Sequence, residues 1–164
     1  MRFVVALGMF FLFVGAVQAQ NWKLEDIPVY EFEALQEALP EDENQLVILN
    51  FWATWCKPCV AEMPYFDAIS KKYADDNEIK VLLISLDMSS QLETRLIPFM
   101  NQRQLHPEVW VLDDPDANSW IDKVDPSWSG AIPATLFYKG QKKAFFEQSF
   151  HSEQEIEDII RTFK

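Results

Sequence analysis

Cys56 and Cys59 are the only two thiols in the chain, and they stand in the run Trp55-Cys56-Lys57-Pro58-Cys59. With two residues between them, the second sulfur can reach the first, close a disulfide and reopen it. Ahead of the pair lies an apolar run, Leu46 to Trp52 (LVILNFW). After it, Cys59, Met63, Phe66, Ile69 and Tyr73 recur every three or four residues, the stripe of an amphipathic helix. A cysteine just before a helix meets unpaired backbone N–H groups and the positive end of the helix dipole. Both favour thiolate, the attacking species in disulfide exchange. Lys57 adds a cation beside Cys56, and Pro58 suits a first helical turn, where no N–H partner is required. Cys56, nearer the surface, is therefore expected to attack a substrate disulfide, and Cys59, on the apolar stripe, to be buried and to resolve the mixed disulfide. Three other readings compete. A structural bridge over so short a loop gains little chain entropy. A metal half-site needs further ligands, and His106 and His151 lack finger-like spacing, so no metal is expected. An inert buried pair leaves its place at a helix start unexplained.

The elements that must position this pair are legible as periodicity. A second apolar run, Val81 to Leu86 (VLLISL), also fails to alternate, as strands buried on both faces of a parallel sheet do. Leu92, Leu96, Phe99 and Arg103 suggest a second helix, interrupted by Pro98. Glu108 to Leu112 reads as a short strand. Ala134 to Tyr138 and Lys143 to Gln148 flank Lys139-Gly140-Gln141, a hairpin signal. Ser152-Glu153-Gln154-Glu155 is a capping box, followed by Ile156, Ile159, Ile160 and Phe163 on one helical face. The sum predicts a layered α/β domain.

Composition removes several classes of function. The chain has 164 residues, 14 Lys+Arg against 26 Asp+Glu, and a formal charge of −12. That balance argues against a sequence-independent nucleic-acid binder and against adsorption to anionic lipid. The apolar run Phe3 to Val17, preceded by Arg2 and followed by Gln18-Ala19, describes a secretory signal peptide cleaved after Ala19. A membrane anchor is the alternative, but the run is shorter than the ~20 residues that span a bilayer. The expected organisation is residues 1–19 as signal and 20–164 as one domain, exported and not membrane-embedded after cleavage. Outside the cytosol thiols tend to oxidise, so a cysteine pair there needs a chemical explanation.

Asn50-Phe51-Trp52-Ala53-Thr54-Trp55-Cys56-Lys57-Pro58-Cys59 resembles the active-site segment of the thioredoxin superfamily. The next residues, Val60-Ala61-Glu62-Met63-Pro64, resemble its exported TlpA/ResA group of thiol–disulfide oxidoreductases. A second match is Ala131-Ile132-Pro133-Ala134-Thr135, the loop where that family carries a cis-proline facing the cysteines. The resemblance covers most of residues 40–164. It implies a thioredoxin-like fold: a central mixed sheet flanked by helices on both faces, with a C-terminal hairpin and helix. It also implies an extracytoplasmic enzyme, without cofactor, that exchanges disulfides with protein substrates through Cys56 and Cys59, as a reductase fed by a membrane electron donor. A disulfide oxidase or isomerase of the same fold is the first alternative. A redox-inert binding module is the second.

The resemblance extends to neighbouring residues. Pro133 would be cis, leaving the Ile132 backbone open to pair with an extended substrate; an ordinary trans proline before a strand is the alternative. Trp55, Lys57 and Pro58 would complete the substrate-binding rim, while Trp52 is expected in the core and Pro64 is structural. Many cytosolic thioredoxins carry an acid where this chain has Asn50, which cannot take a proton. Glu62 matches the acid of the exported group and would have a raised pKa and exchange protons with Cys59. A solvated helix glutamate is the competing reading.

Asp113 to Gly130 is the least expected stretch. Asp114, Asp116 and Asn118 invite a calcium-loop reading, yet Ser119 and Asp125 stand where such a loop has Gly and Glu. A turn and a short capped helix is the alternative. Trp120 and Trp128 lead towards Pro133, so this insert is expected to border the substrate groove. The remaining acidic residues, Glu153 to Asp158 among them, read as solvated faces.

Overall fold

Every residue of Leu46–Trp52 is buried, and this strand is the middle of the molecule. The computed structural model describes residues 21–164, so the expected signal segment lies outside the described residues. The elements are β1 (Val29–Tyr30), α1 (Phe32–Ala38), β2 (Leu46–Trp52), α2 (Lys57–Lys72), β3 (Ile79–Ser85), α3 (Ile97–Arg103), β4 (Glu108–Leu112), α4 (Ala117–Val124), β5 (Ala134–Lys139), β6 (Lys142–Phe146) and α5 (Glu153–Phe163). One six-stranded sheet runs in the order β1-β4-β3-β2-β5-β6. The first four are mutually parallel, while β5 lies antiparallel to β2 and β6 antiparallel to β5. The expected mixed sheet is present, with the hairpin Ala134–Phe146 at one edge.

Strand alternation divides the core into two. Leu46, Ile48 and Trp52 point to the side covered by Met63, Phe66 and Ile69 of α2 and Ile156, Ile160 and Phe163 of α5. Val47, Leu49 and Phe51 point to the other side, covered by Phe32 and Leu35 of α1 and Trp120 and Val124 of α4. Helices therefore cover both faces, which is why β2 and β3 read as continuous apolar runs rather than as alternation.

Four expectations need correction. Pro98 does not interrupt a helix. A π turn, Leu92–Leu96, ends with the Ile97 N–H bonded to the Leu92 carbonyl five residues back, and Pro98 then sits in the first turn of α3. A proline ring has no N–H and crowds the carbonyl four residues before it, so the preceding turn widens instead of breaking. The sequence reading also lacked β1 and α1. A two-residue strand carries too little pattern to see, and it is held by long-range bonds from Val111 N–H to the Pro28 carbonyl (2.9 Å) and from Asp113 N–H to the Tyr30 carbonyl (2.9 Å).

Glu157 is not on a solvated face. It is buried between α2 and α5, where it accepts from the Tyr73 hydroxyl (2.9 Å) and pairs with Lys72 (2.8 Å). Those partners hold its carboxyl below the usual range against the opposing effect of burial. Trp120 and Trp128 do not line a surface groove either: both are buried, and Trp128 packs against Phe51 (4.8 Å), Trp120 (5.6 Å) and Phe145 (5.8 Å) between ring centroids. Large aromatic rings gain more from that burial than an exposed rim would return. The carboxylates of the same stretch serve backbone: Asp114 accepts from Phe32 and Asp116 N–H, and Asp113 from Ser89 N–H.

Candidate active site

The chain leaves β2 at Trp52, crosses Ala53 to Trp55, and enters α2 with Cys56 as the N-cap residue. Cys56 has extended backbone angles, and its sulfur accepts from the Cys59 N–H at 3.3 Å, the place a Ser or Asp oxygen takes in an ordinary cap. Pro58 occupies the first turn, where its missing N–H leaves nothing unpaired. Cys56 and Cys59 are joined as a disulfide, with Cα atoms 5.3 Å apart. Cys56 is 6% exposed and Cys59 only 1%, so solvent and any partner reach the pair through Cys56. Trp55, 58% exposed, and the exposed Lys57 and Pro58 surround it. Trp52 is fully buried against Phe99.

A second segment faces the first sulfur. The Ile132–Pro133 peptide bond is cis, and the Ile132 carbonyl oxygen lies 3.6 Å from Cys56 Sγ. While that sulfur is bonded to Cys59 it has no proton to share, so this is a contact; a reduced Cys56 would carry a donor at this point. Ile132 is half-buried and Pro133 buried. Residue 132 lies ahead of the β2–β5 ladder, whose last pair is Phe51 with Ala134.

Beneath the disulfide is a polar cluster. Glu62, one helical turn past Cys59 on α2, is 1% exposed. Its Oε1 accepts from Asn50 Nδ2 (2.9 Å) and its Oε2 from the Phe150 N–H (2.7 Å). Asn50 also donates to Thr135 Oγ1 (3.0 Å), joining β2, α2 and β5. Burial pushes the Glu62 carboxyl up to about 7, while the two hydrogen bonds pull the other way. The solvated-helix reading of Glu62 is thus set aside by its burial. No hydrogen bond joins Glu62 to Cys59 in this disulfide form among the described residues.

Sequence reasoning missed Asp87. It is buried just past β3, accepting from the Thr54 N–H (2.9 Å), the Thr54 hydroxyl (2.6 Å) and the Ser85 hydroxyl (2.9 Å). These bonds fasten the loop that carries Cys56 to the end of the neighbouring strand. The only signal in the sequence was an acid directly after an apolar strand, which is common. Phe150 and Thr135 were missed for a similar reason, because each acts through partners 85 residues or more away.

This strand order, with a cysteine pair at the start of α2 and a loop before β5 facing it, is the thioredoxin-like fold. A secreted thiol–disulfide isomerase from Corynebacterium glutamicum shares it, with a TM-score of 0.59 at 23% identity over 73% of this chain and 71% of that one. The sequence matches the AhpC/TSA family over residues 17–142, and the chain belongs to that family. Among its relatives, the thiol–disulfide oxidoreductase ResA of Bacillus thuringiensis subsp. konkukian is 41% identical over 136 residues, 83% of this chain and 72% of that protein. The thioredoxin-like protein YneN of Bacillus subtilis is 34% identical over 92 residues, 56% of this chain and 52% of that protein. The chain spans about half of YneN and a third to two fifths of the ResA sequences next most similar.

Proposed function

We propose that this chain is an extracytoplasmic thiol–disulfide oxidoreductase that reduces disulfides in protein substrates through Cys56 and Cys59. The observation that carries the reading is the place of Cys56: a sulfur at the N-cap of a sixteen-residue helix, receiving a backbone N–H and closed onto a buried partner. A thiolate there gains from both the hydrogen bond and the helix dipole. The relatives named for thiol–disulfide exchange support the chemistry, and the signal-like residues 1–19 support export.

In the reduced protein the Cys56 thiolate attacks one sulfur of a substrate disulfide. A Cys56–substrate disulfide forms, and the other substrate sulfur leaves as a thiolate that takes a proton. Cys59 then loses its proton and attacks Cys56 Sγ. The intramolecular bond closes, and the second substrate thiol departs. The substrate gains two electrons and two protons, and the protein loses them. Return to the dithiol needs an external reductant; a membrane dithiol carrier suits an oxidising compartment.

Each neighbour has a task in this sequence. Trp55, Lys57 and Pro58 form the rim that a substrate meets first, and Lys57 adds a cation near the Cys56 thiolate. Ile132, held by cis Pro133, offers its backbone to an extended substrate chain alongside Cys56. Cys59 is buried, and burial disfavours its thiolate. Glu62 is the titratable group of α2 closest beneath it and, with a pKa of about 7, is suited to exchange that proton near neutral pH.

Cys59→Ser tests the roles of the two sulfurs. The variant should accumulate mixed disulfides with a cysteine-bearing peptide on Cys56, visible by non-reducing mass spectrometry, and Cys56→Ser should accumulate none. Equal trapping by both variants, or by neither, contradicts the assignment.

A further inference from the structure

The loop that faces Cys56 is held from outside by one carboxylate. Glu147 follows the last residue of β6, and both its oxygens are turned onto the loop 129–131. Its Oε2 accepts from the Ser129 N–H (3.0 Å) and its Oε1 from the Ser129 hydroxyl. These contacts and the Ala131 amide hold the Glu147 carboxyl below the ordinary carboxylate range. From the inner side, Trp128 Nε1 donates to the Ala131 carbonyl at 2.8 Å. Gly130 between them takes a φ of +89°, and a Cβ there would meet Ile121 Cδ1 at 2.9 Å. Directly after this pinned turn comes Ile132, whose carbonyl lies 3.6 Å from Cys56 Sγ.

We propose that Glu147 is a positioning residue for protein substrates: by clamping Ser129 and Ala131 it fixes the Ile132 backbone at the distance and angle an extended substrate chain needs beside Cys56. The inference rests on the oxidoreductase reading and adds a residue to it. Glu147 is exposed and lies outside the polar cluster under the disulfide, so it acts on substrate pairing and not on the sulfurs. Backbone pairing is a sum of directional bonds, and a loop free to move loses part of each one. A small disulfide makes no such pairing and should not register the clamp.

The test compares two substrates with the pre-reduced full domain. One is a neutral peptide closed by a disulfide, the other hydroxyethyl disulfide, each followed by single-turnover kinetics. Glu147→Ala should raise the half-saturating concentration of the peptide about three- to tenfold, as expected for losing one to two ordinary hydrogen bonds' worth of order. Its rate with hydroxyethyl disulfide should stay unchanged. Ser129→Ala should act in the same direction, and the double variant should be no worse than Glu147→Ala alone, because both remove one contact. Equal effects on both substrates would make the clamp a general structural brace and overturn the proposal. So would an effect seen with a basic peptide but absent with the neutral one, because Glu147 would then bind substrate charge directly. If the unaltered protein reduces neither disulfide, the oxidoreductase reading itself fails; if it reduces both and Glu147→Ala matches it throughout, only the clamp fails.

Discussion

At the scale of single residues, chemistry that sits close together in sequence was the most legible. Cys56, Lys57, Pro58 and Cys59 share one short segment, and their order against a strand and a helix stripe already assigned an outer and an inner sulfur. The burial of Cys59 and the exposure of Trp55 agree with that reading. Glu62 was found by resemblance, but what makes it unusual was invisible. One of its hydrogen-bond partners is the Phe150 amide, 88 residues along the chain, and nothing local marks such a bond.

The titration of Glu62 has a stability consequence of definite sign. Its carboxyl is raised from 4.5 to about 7 in the folded protein. The unfolded chain therefore ionises first, and the stability present below pH 4.5 is lost as pH rises towards 7. Relative to Glu62→Gln, which cannot titrate, the native protein should lose about 3 kcal/mol across that interval. Urea unfolding of both proteins at pH 4.5 and 7 measures the difference. The same substitution should flatten the pH dependence of Cys59 alkylation in the reduced protein, whereas an unchanged profile would remove Glu62 from proton exchange.

At the scale of elements, long buried strands and striped helices announced themselves, and β4 matches its expected bounds, Glu108 to Leu112. The Ser152 cap is present too: its hydroxyl accepts from the Glu155 N–H (3.3 Å), while Glu155 reaches back to His151 N–H (2.9 Å), one residue before the cap. The failures came where an element is defined by distant contacts. The strand β1 has two residues, and its pairing with β4 crosses about half the chain. The π turn before α3 is a local answer to Pro98 that apolar spacing alone does not distinguish from a break. The insert 113–130 was misread because Trp residues near a ligand-facing loop suggest a rim. Here they fill the second core and reach the loop only through Trp128 Nε1. Trp128→Ala should accordingly cost about 3–5 kcal/mol of stability. Denaturant unfolding would show it; a loss under 1 kcal/mol accompanied by weaker peptide binding would return Trp128 to the groove.

At the scale of the whole molecule, the fold brings two sequence-distant segments to one end of the sheet. β2 hands over to α2 at Cys56, and the antiparallel partner β5 begins beside it, so the residue before its proline faces the sulfur. Asp87 at the end of β3 ties down the first segment, and Glu147 at the end of β6 the second. Strand ends on both sides of β2 thus brace the two loops on which the chemistry depends. The net charge of −12 is spread across surfaces that include neither sulfur, and Lys57 is the charged residue of the Cys56–Cys59 segment itself. No helix among the described residues is long and apolar enough to cross a membrane.

The reduction potential of the Cys56–Cys59 couple, measured by equilibrating residues 20–164 with glutathione or dithiothreitol buffers, tests the central claim most directly. A reductase should give a value near that of thioredoxin, roughly −270 mV. A value near roughly −120 mV would make the protein a disulfide donor and contradict the direction of electron flow. A disulfide that neither buffer opens without denaturant would contradict the oxidoreductase reading as a whole.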